Sequence, residues 1–311
     1  MLWRRATSRA FVLTTRHRCC HNAVMALDPD VKYAINRTIS GTSTRLAYTC
    51  EGSSNNHMPI VCVHGGPGSL RDWRYLAPAL KECKIHNRLL RFDLPGYGQS
   101  SACTDNPSSE YFAQSVWNVV GQLDAVNGSA NKVILIGHSM GGHTVVEMAS
   151  QHPDRVGGVI ILAPVCLRPH KSILGRFYFV LKWLGVNIDA PILGKVIRPT
   201  CEFVVKRILG FPKSTSVDEV STSQKRISYL DFHRFREQIC TLQCPLLHVY
   251  TADDNVIEAR VQEELAQLLR TQKNMVSVRL ESGGHNLQKT RCLVVARIIS
   301  DWLANVLRVP V

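Results

Sequence analysis

The stretch 137–142, GHSMGG, sets a serine midway between two glycines in a G-x-S-x-G spacing. It follows the apolar run Val133-Ile134-Leu135-Ile136 and leads into HTVVEMAS, whose apolar residues have helical spacing. A serine at the apex of such a strand-to-helix turn projects its hydroxyl above a sheet while the next amide faces the same space, an arrangement suited to attack on a carbonyl. The glycines alone decide nothing, because a chain passing from a buried strand straight into a helix brings backbone close to backbone whatever its function. A structural turn and a phosphate-binding loop therefore stand beside the nucleophile reading. An activated serine also needs a histidine to take its proton, an acid to orient that histidine and donors for the developing oxyanion.

Short apolar runs supply the frame on which such groups could be held: IVCVHG (60–65), LLRFD (89–93), VILIG (133–137), VIILA (159–163), LLHVY (246–250) and VSVRL (276–280). Helix-length segments separate most of them, which is the rhythm of a parallel α/β sheet. Ahead of them, 31–39 and 44–50, joined by SGTS, predict an antiparallel hairpin. In parallel sheets ligands bind beyond the carboxyl ends of the strands. The segments found there are HGGPGS (64–69), DLPGYGQS (93–100), GHSMGG, TADDNVIE (251–258) and SGGHN (282–286).

Taken together and in this order, these segments resemble the α/β-hydrolase superfamily of the Ser-Asp-His type, over about residues 32–307. The resemblance implies an α/β fold with a mostly parallel central sheet, helices on its faces and an inserted helical cap. It also implies roles. Ser139 is the expected nucleophile and His285 the expected base, while His64 and His138 are the rival histidines, expected to shape turns. The acidic motif begins with Thr251 where the family usually has glycine. Counting three positions on selects Asp254 as the acid that fixes the His285 tautomer, with Asp253 as the alternative. Met140 and Gly66 are the expected oxyanion donors through their backbone amides. DLPGYGQS is read as structural, with Asp93 and Gly98 holding a turn. Serine, histidine and amides suffice for acyl transfer, so neither cofactor nor metal is expected.

About 75 residues lie between VIILAP and CPLLHVY, far more than a crossover helix needs. The resemblance reads 28–165 and 240–311 as the core and 166–239 as the cap. The early cap is rich in Leu, Ile, Val and Phe and carries Arg168, Lys171, Arg176, Lys182, Lys195, Arg198, Lys206, Arg207 and Lys213 against Asp189 and Glu202. Basic amphipathic helices of this kind suit an apolar substrate with an anionic end, peripheral contact with an anionic membrane surface, or only a solvated face. STSVDEVSTSQKR (214–226) is polar and reads as a loop or hinge.

Composition bounds the rest. The chain has 311 residues, 45% hydrophobic and 20% charged, enough for one large core. Its longest uncharged apolar stretch, near 159–167, falls short of the ~20 residues a membrane-spanning helix needs. The eleven cysteines are scattered without C-x-x-C pairs, which favours a reducing compartment, and Cys62 reads as core. Asn36 and Asn127 head N-x-S/T triplets that matter only on a secretory route. Residues 1–27 hold Arg4, Arg5, Arg9, Arg16 and Arg18 with no acid before Asp28, the composition of a mitochondrial presequence. A cytoplasmic location is the alternative, and Met25 offers an internal start. This segment contributes to the net charge of +13, and no zinc-finger spacing or basic helix with interleaved aromatics accompanies it, so no nucleic-acid partner is expected. The expected partner is a small-molecule acyl substrate; oligomeric state is left open. The expected reaction is hydrolysis of a carboxylic ester, thioester or lipid acyl bond. A prolyl-aminopeptidase-like peptidase and a non-catalytic binding protein of the same fold are the alternatives.

Overall fold

Strands buried on both faces are largely apolar, and the central runs of this chain follow that pattern, with the buried Arg91, His248 and Ser277 among the exceptions. The computed structural model describes residues 11–13, 30–37, 41–52, 58–127, 132–208 and 213–307. Among them nine strands form one sheet: β1 (Phe11–Leu13), β2 (Lys32–Arg37), β3 (Ser43–Glu51), β4 (Ile60–Val63), β5 (Leu89–Phe92), β6 (Val133–His138), β7 (Val156–Leu162), β8 (Leu246–Thr251) and β9 (Met275–Leu280). Their order is β1-β9-β8-β7-β6-β4-β5-β3-β2. β4 to β9 run parallel, and β2 and β3 form the expected antiparallel hairpin at one edge, in register from Lys32 opposite Tyr48 to Arg37 opposite Ser43. β1 lies parallel to β9 at the other edge. The rest of the presequence-like stretch 1–27 falls outside the described residues, as does the side chain of Asn127.

Side chains alternate across the sheet, so each central strand feeds two cores. Val61, Val63, Leu135 and Ile161 point toward one cluster, shared with α2 (Ser109–Asn127), α3 (Gly141–Gln151), α7 (Phe232–Thr241) and α8 (Ala259–Arg270). Ile60, Cys62, Ile136 and Leu162 point the other way, against α1 (Leu76–Glu82) and α10 (Cys292–Asn305), where Trp73 and Trp302 are fully buried. Asn36 is buried too, its amide donating to Thr44 Oγ1 at 3.2 Å and Ser115 Oγ at 3.1 Å, which removes it as a glycosylation site.

The long insertion between β7 and β8 forms α4 (Tyr178–Asn187), α5 (Gly194–Phe203), α6 (Val217–Ser228) and α7. Two sequence readings change here. The polar stretch 214–226 is no loop. It forms α6, started by a capping box in which Glu219 N–H donates to Ser216 Oγ at 3.0 Å and Ser216 N–H to Glu219 Oε2 at 2.7 Å. Its polar face is buried, including Ser221, Thr222, Ser223, Gln224 and Arg226, so a hydrophobic periodicity could not reveal it. In packing terms α7, assigned above to the cap, belongs with the core, because Phe235 and Ile239 join its main cluster. Arg234 on α7 also makes a paired contact of 2.8 and 2.7 Å with the buried Glu147 of α3. Burial raises the Glu147 carboxyl, but hydrogen bonds from Arg234 and Gln238 outweigh it and hold the group below its ordinary range.

The crossing from β6 to α3 is closely packed. A Cβ on Gly137 would lie 2.5 Å from the Gly141 carbonyl oxygen, and one on Gly141 would lie 2.7 Å from that of His64. Gly121, in α2, has open space around its Cβ position. Gly137→Ala is expected to destabilise the protein by ~1–3 kcal/mol through overpacking. Gly121→Ala is expected to stabilise it by ~0.5–1 kcal/mol through helix propensity. Denaturant midpoints of the two variants against the parent check both signs.

Candidate active site

Ser139 sits at the crossing itself. It has φ of +53°, in the left-handed region that non-glycine residues rarely adopt, and the strain is held by neighbours on both sides. Its amide donates to the Leu162 carbonyl at 3.0 Å, while its own carbonyl accepts from Gly142 at 2.9 Å and Val165 at 3.2 Å. The backbone is thus tied to β7, to α3 and to the chain entering the insertion.

A second loop approaches from the end of β9. His285 Nε2 lies 3.0 Å from Ser139 Oγ, and its Nδ1 donates to Asp254 Oδ2 at 2.9 Å. The remaining Asp254 oxygen accepts from the Val256 and Ile257 amides at 2.8 and 2.9 Å. Burial raises the Asp254 carboxyl, but the hydrogen bond and charge of His285, with those two amides, overcome it and hold the group below the usual carboxylate range. It is therefore ionised at neutral pH and can support charge on the imidazole. Asp253 faces elsewhere and accepts from the Gly283 and Gly284 amides at 3.1 and 2.8 Å, so it shapes the His285 loop without touching the ring.

The rival histidines fasten loops. His138 Nε2 donates to the His285 carbonyl at 3.0 Å, and burial together with the neighbouring His285 pushes its pKa well below the ordinary value. His64 donates from Nδ1 to the Gly65 carbonyl and accepts the Leu94 amide on Nε2 at 3.0 Å. Burial lowers its pKa to about 4, matching the neutral tautomer those bonds require.

Gly65 and Gly66 lie on the serine turn. A Cβ on Gly65 would sit 2.9 Å from Ser139 Cβ, and one on Gly66 would sit 2.5 Å from Met140 Cε. Among the described residues, neither the Gly66 nor the Met140 amide enters a backbone hydrogen bond outside the regular elements. DLPGYGQS braces this loop: Asp93 accepts from Leu70 at 2.7 Å and from Gln99 at 2.9 Å, and Gly98 packs on its carboxylate. Among the described residues no group of three or more His, Cys, Asp or Glu could hold a metal ion.

The structure brings Ser139, His285 and Asp254 into one hydrogen-bonded line and sets Gly66 beside Met140. It also reveals residues that sequence reasoning missed, all tied to α6. Arg226, fully buried, donates from Nη2 to the Met140 carbonyl at 2.8 Å and to Thr144 Oγ1 at 2.9 Å, with its guanidinium 4.6 Å over the Phe112 ring. Tyr97 and Ser223, 3.2 Å apart through their hydroxyls, stand next to Gly66. The readable signal was the capping box at Ser216 and Glu219, which announces a helix despite its polar face. Of the cap cations named above, Arg168 pairs with Glu264 at 2.8 and 2.7 Å, Arg198 with Asp189, and Lys206 with Glu202 at 2.7 Å.

Known proteins show the same frame. A family model described as the alpha/beta hydrolase fold matches residues 58–185. The dihydrolipoyllysine-residue acetyltransferase component of the acetoin cleaving system from Pseudomonas putida is 32% identical over 213 residues, 65% of this chain and 53% of that protein. The chain thus spans about half the length of that relative. Monoacylglycerol lipase abhd6-B of Xenopus laevis is 23% identical across 90% of this chain and 84% of its own. Among solved structures, a thermophilic esterase from Thermogutta terrifontis superposes with a TM-score of 0.67 at 20% identity, covering 88% of this chain and 99% of its own. With its parallel sheet, its serine turn and these matches in agreement, the chain has the α/β-hydrolase fold.

Proposed function

We propose that the protein is a serine hydrolase that cleaves a carboxylic ester, thioester or lipid acyl bond. The observation that carries this reading is the continuous line from Asp254 through His285 to Ser139, at 2.9 and 3.0 Å, beside two amides free to face an oxyanion. Among the similar proteins, the monoacylglycerol lipase is in keeping with ester chemistry.

In this reading His285 Nε2 accepts the Ser139 proton as Oγ attacks the acyl carbon, and the carbonyl oxygen takes on negative charge toward the Gly66 and Met140 amides. Each such donor contributes ~3–4 kcal/mol in related cases, because it is held in place before charge develops. His285 then gives its proton to the departing alcohol or thiol, leaving Ser139 acylated. A water molecule repeats the sequence: His285 takes its proton, its oxygen attacks the acyl carbon, and Ser139 leaves with the proton returned to Oγ. Asp254 keeps the ring in the tautomer with Nδ1–H and stabilises the imidazolium formed at each step.

The peptidase alternative needs cap carboxylates to hold a substrate amino group. Asp189 is engaged by Arg198 and Lys225, Glu202 by Lys206, and Glu219 by the start of α6 and the Gly98 amide. Asp218 is exposed and lies 4.0 Å from Arg198, and cations outnumber carboxylates across the cap, which disfavours that reading.

Ser139→Ala is expected to abolish labelling by a fluorophosphonate probe and to lower kcat on short-chain esters by up to ~10⁶-fold. A folded variant that still labels would remove Ser139 from the reaction, and an unlabelled parent would leave a non-catalytic member of the fold. The two acids separate cleanly. Asp254→Asn is expected to reduce kcat by ~10⁴-fold by favouring the wrong histidine tautomer, while Asp253→Asn keeps kcat within about tenfold. Steady-state kinetics on both variants decides between them, and equal losses would reject the assignment of Asp254.

A further inference from the structure

An α-helix that is apolar around its whole circumference belongs in an environment that covers it on every side. α4 is such a helix. Leu181, Leu184 and Gly185 face inward, with Gly185 packed on Ser228 of α6, yet Phe179, Trp183 and Val186 are turned outward to solvent. α5 repeats the pattern. Ile197 and Cys201 join Ile188 and Val220 in a small inner cluster, whereas Ile192 is 81% exposed, Val196 68% and Phe203 60%. Both helices pack on α6 through their inner faces, so these residues project away from the core.

Charge narrows what could cover them. Arg176, Lys182, Lys195 and Arg207 are exposed around this apolar face and, among the described residues, none forms an ion pair with an acid. The acids within the same segment are engaged: Asp189 by Arg198 and Lys225, Glu202 by Lys206. A surface depression lined by Arg176, Tyr178 and Phe179, among others, opens at the edge of the stripe. A second copy of the chain would bring like charges together around the apolar contact, in a protein already carrying a net charge of +13. An anionic bilayer satisfies both parts of the surface: acyl chains accept the aromatic and aliphatic side chains, and lipid phosphates meet the cations, whose stems lie along the apolar surface.

We propose that the outer face of the cap, formed by α4, α5 and the turn that follows, docks on an anionic lipid surface. The docking surface includes none of the residues of the serine site, so it stands whether or not Ser139 is a nucleophile.

The test uses the purified full chain with vesicles of phosphatidylcholine alone or with 30 mol% phosphatidylglycerol, read by co-flotation. The parent is expected to bind the anionic vesicles and to lose that binding in high salt. The combined Lys182→Gln, Lys195→Gln and Arg207→Gln variant is expected to bind on the order of 100-fold more weakly, from about fivefold per cation. The combined Phe179→Ser, Trp183→Ser, Ile192→Ser and Val196→Ser variant is expected to lose binding while keeping its thermal midpoint and its rate on a soluble ester, since all four side chains are exposed. Quenching of protein fluorescence by brominated acyl chains should fall in Trp183→Leu. Ser139→Ala should bind as the parent does, whatever its activity. Binding that survives both cap variants would assign the contact to another basic segment and overturn the proposal. So would concentration-dependent dimers in sedimentation that the apolar substitutions abolish, with no vesicle binding by the parent.

Discussion

The serine turn is the constraint from which the rest of the site follows. A serine held at φ +53° between a buried strand and a buried helix costs about 1–3 kcal/mol of local strain, and it persists only if the surroundings leave it no alternative. Here they leave none. β6 lies between β4 and β7, so the strand cannot shift. Gly137 and Gly141 let α3 sit against the end of β4, and Gly65 lets the neighbouring loop touch the serine from the other side. The Ser139 carbonyl takes two amides, from Gly142 and Val165, and so anchors the helix and the outgoing chain to one atom. Strain and glycine content, which each destabilise a fold, together expose one hydroxyl above the sheet in a single orientation.

The second loop needs a different kind of support, because its histidine must be held at both ring nitrogens while carrying its backbone to the right height. Three contacts share this task. Asp254 holds Nδ1, His138 holds the His285 carbonyl, and Thr251 Oγ1 donates to the Gly284 carbonyl at 3.0 Å. Asp253 ties the two preceding glycine amides. Two adjacent carboxylates therefore divide the work, one fixing the ring and one fixing the chain that presents it. The neutral state of His138 follows from its burial and from the His285 ring beside it.

Much of this was legible in the residues. Apolar runs such as 60–63 and 133–136 define strands buried on both faces, and the glycine and acid motifs fall at their carboxyl ends because parallel sheets open there. Choosing Asp254 over Asp253 depended on counting along the loop, since the two adjacent carboxylates differ in the partners they meet and not in residue type. What stayed hidden was α6. Its buried face is made of Ser, Thr, Gln and Arg, so the periodicity that reveals a helix through apolar residues is silent. For the same reason the role of Arg226 was invisible: a basic residue at the end of a polar run reads as solvated surface until the helix turns it inward. The boundary of the insertion was blurred by α7, whose inward Phe235 and Ile239 look no different in sequence from the apolar residues of a cap helix.

Arg226 has a consequence for how the site is entered. Its guanidinium comes from the insertion but is seated on the Met140 carbonyl, Thr144 and the Phe112 ring. Lifting α6 away would strand a buried carbonyl and draw a charge across apolar surface, a cost of several kcal/mol. α6 is therefore a fixed wall, although its place in the chain suggests a door. α4 and α5 pack on that wall, and Tyr178 of α4 also meets the Phe232 ring of α7 edge to face.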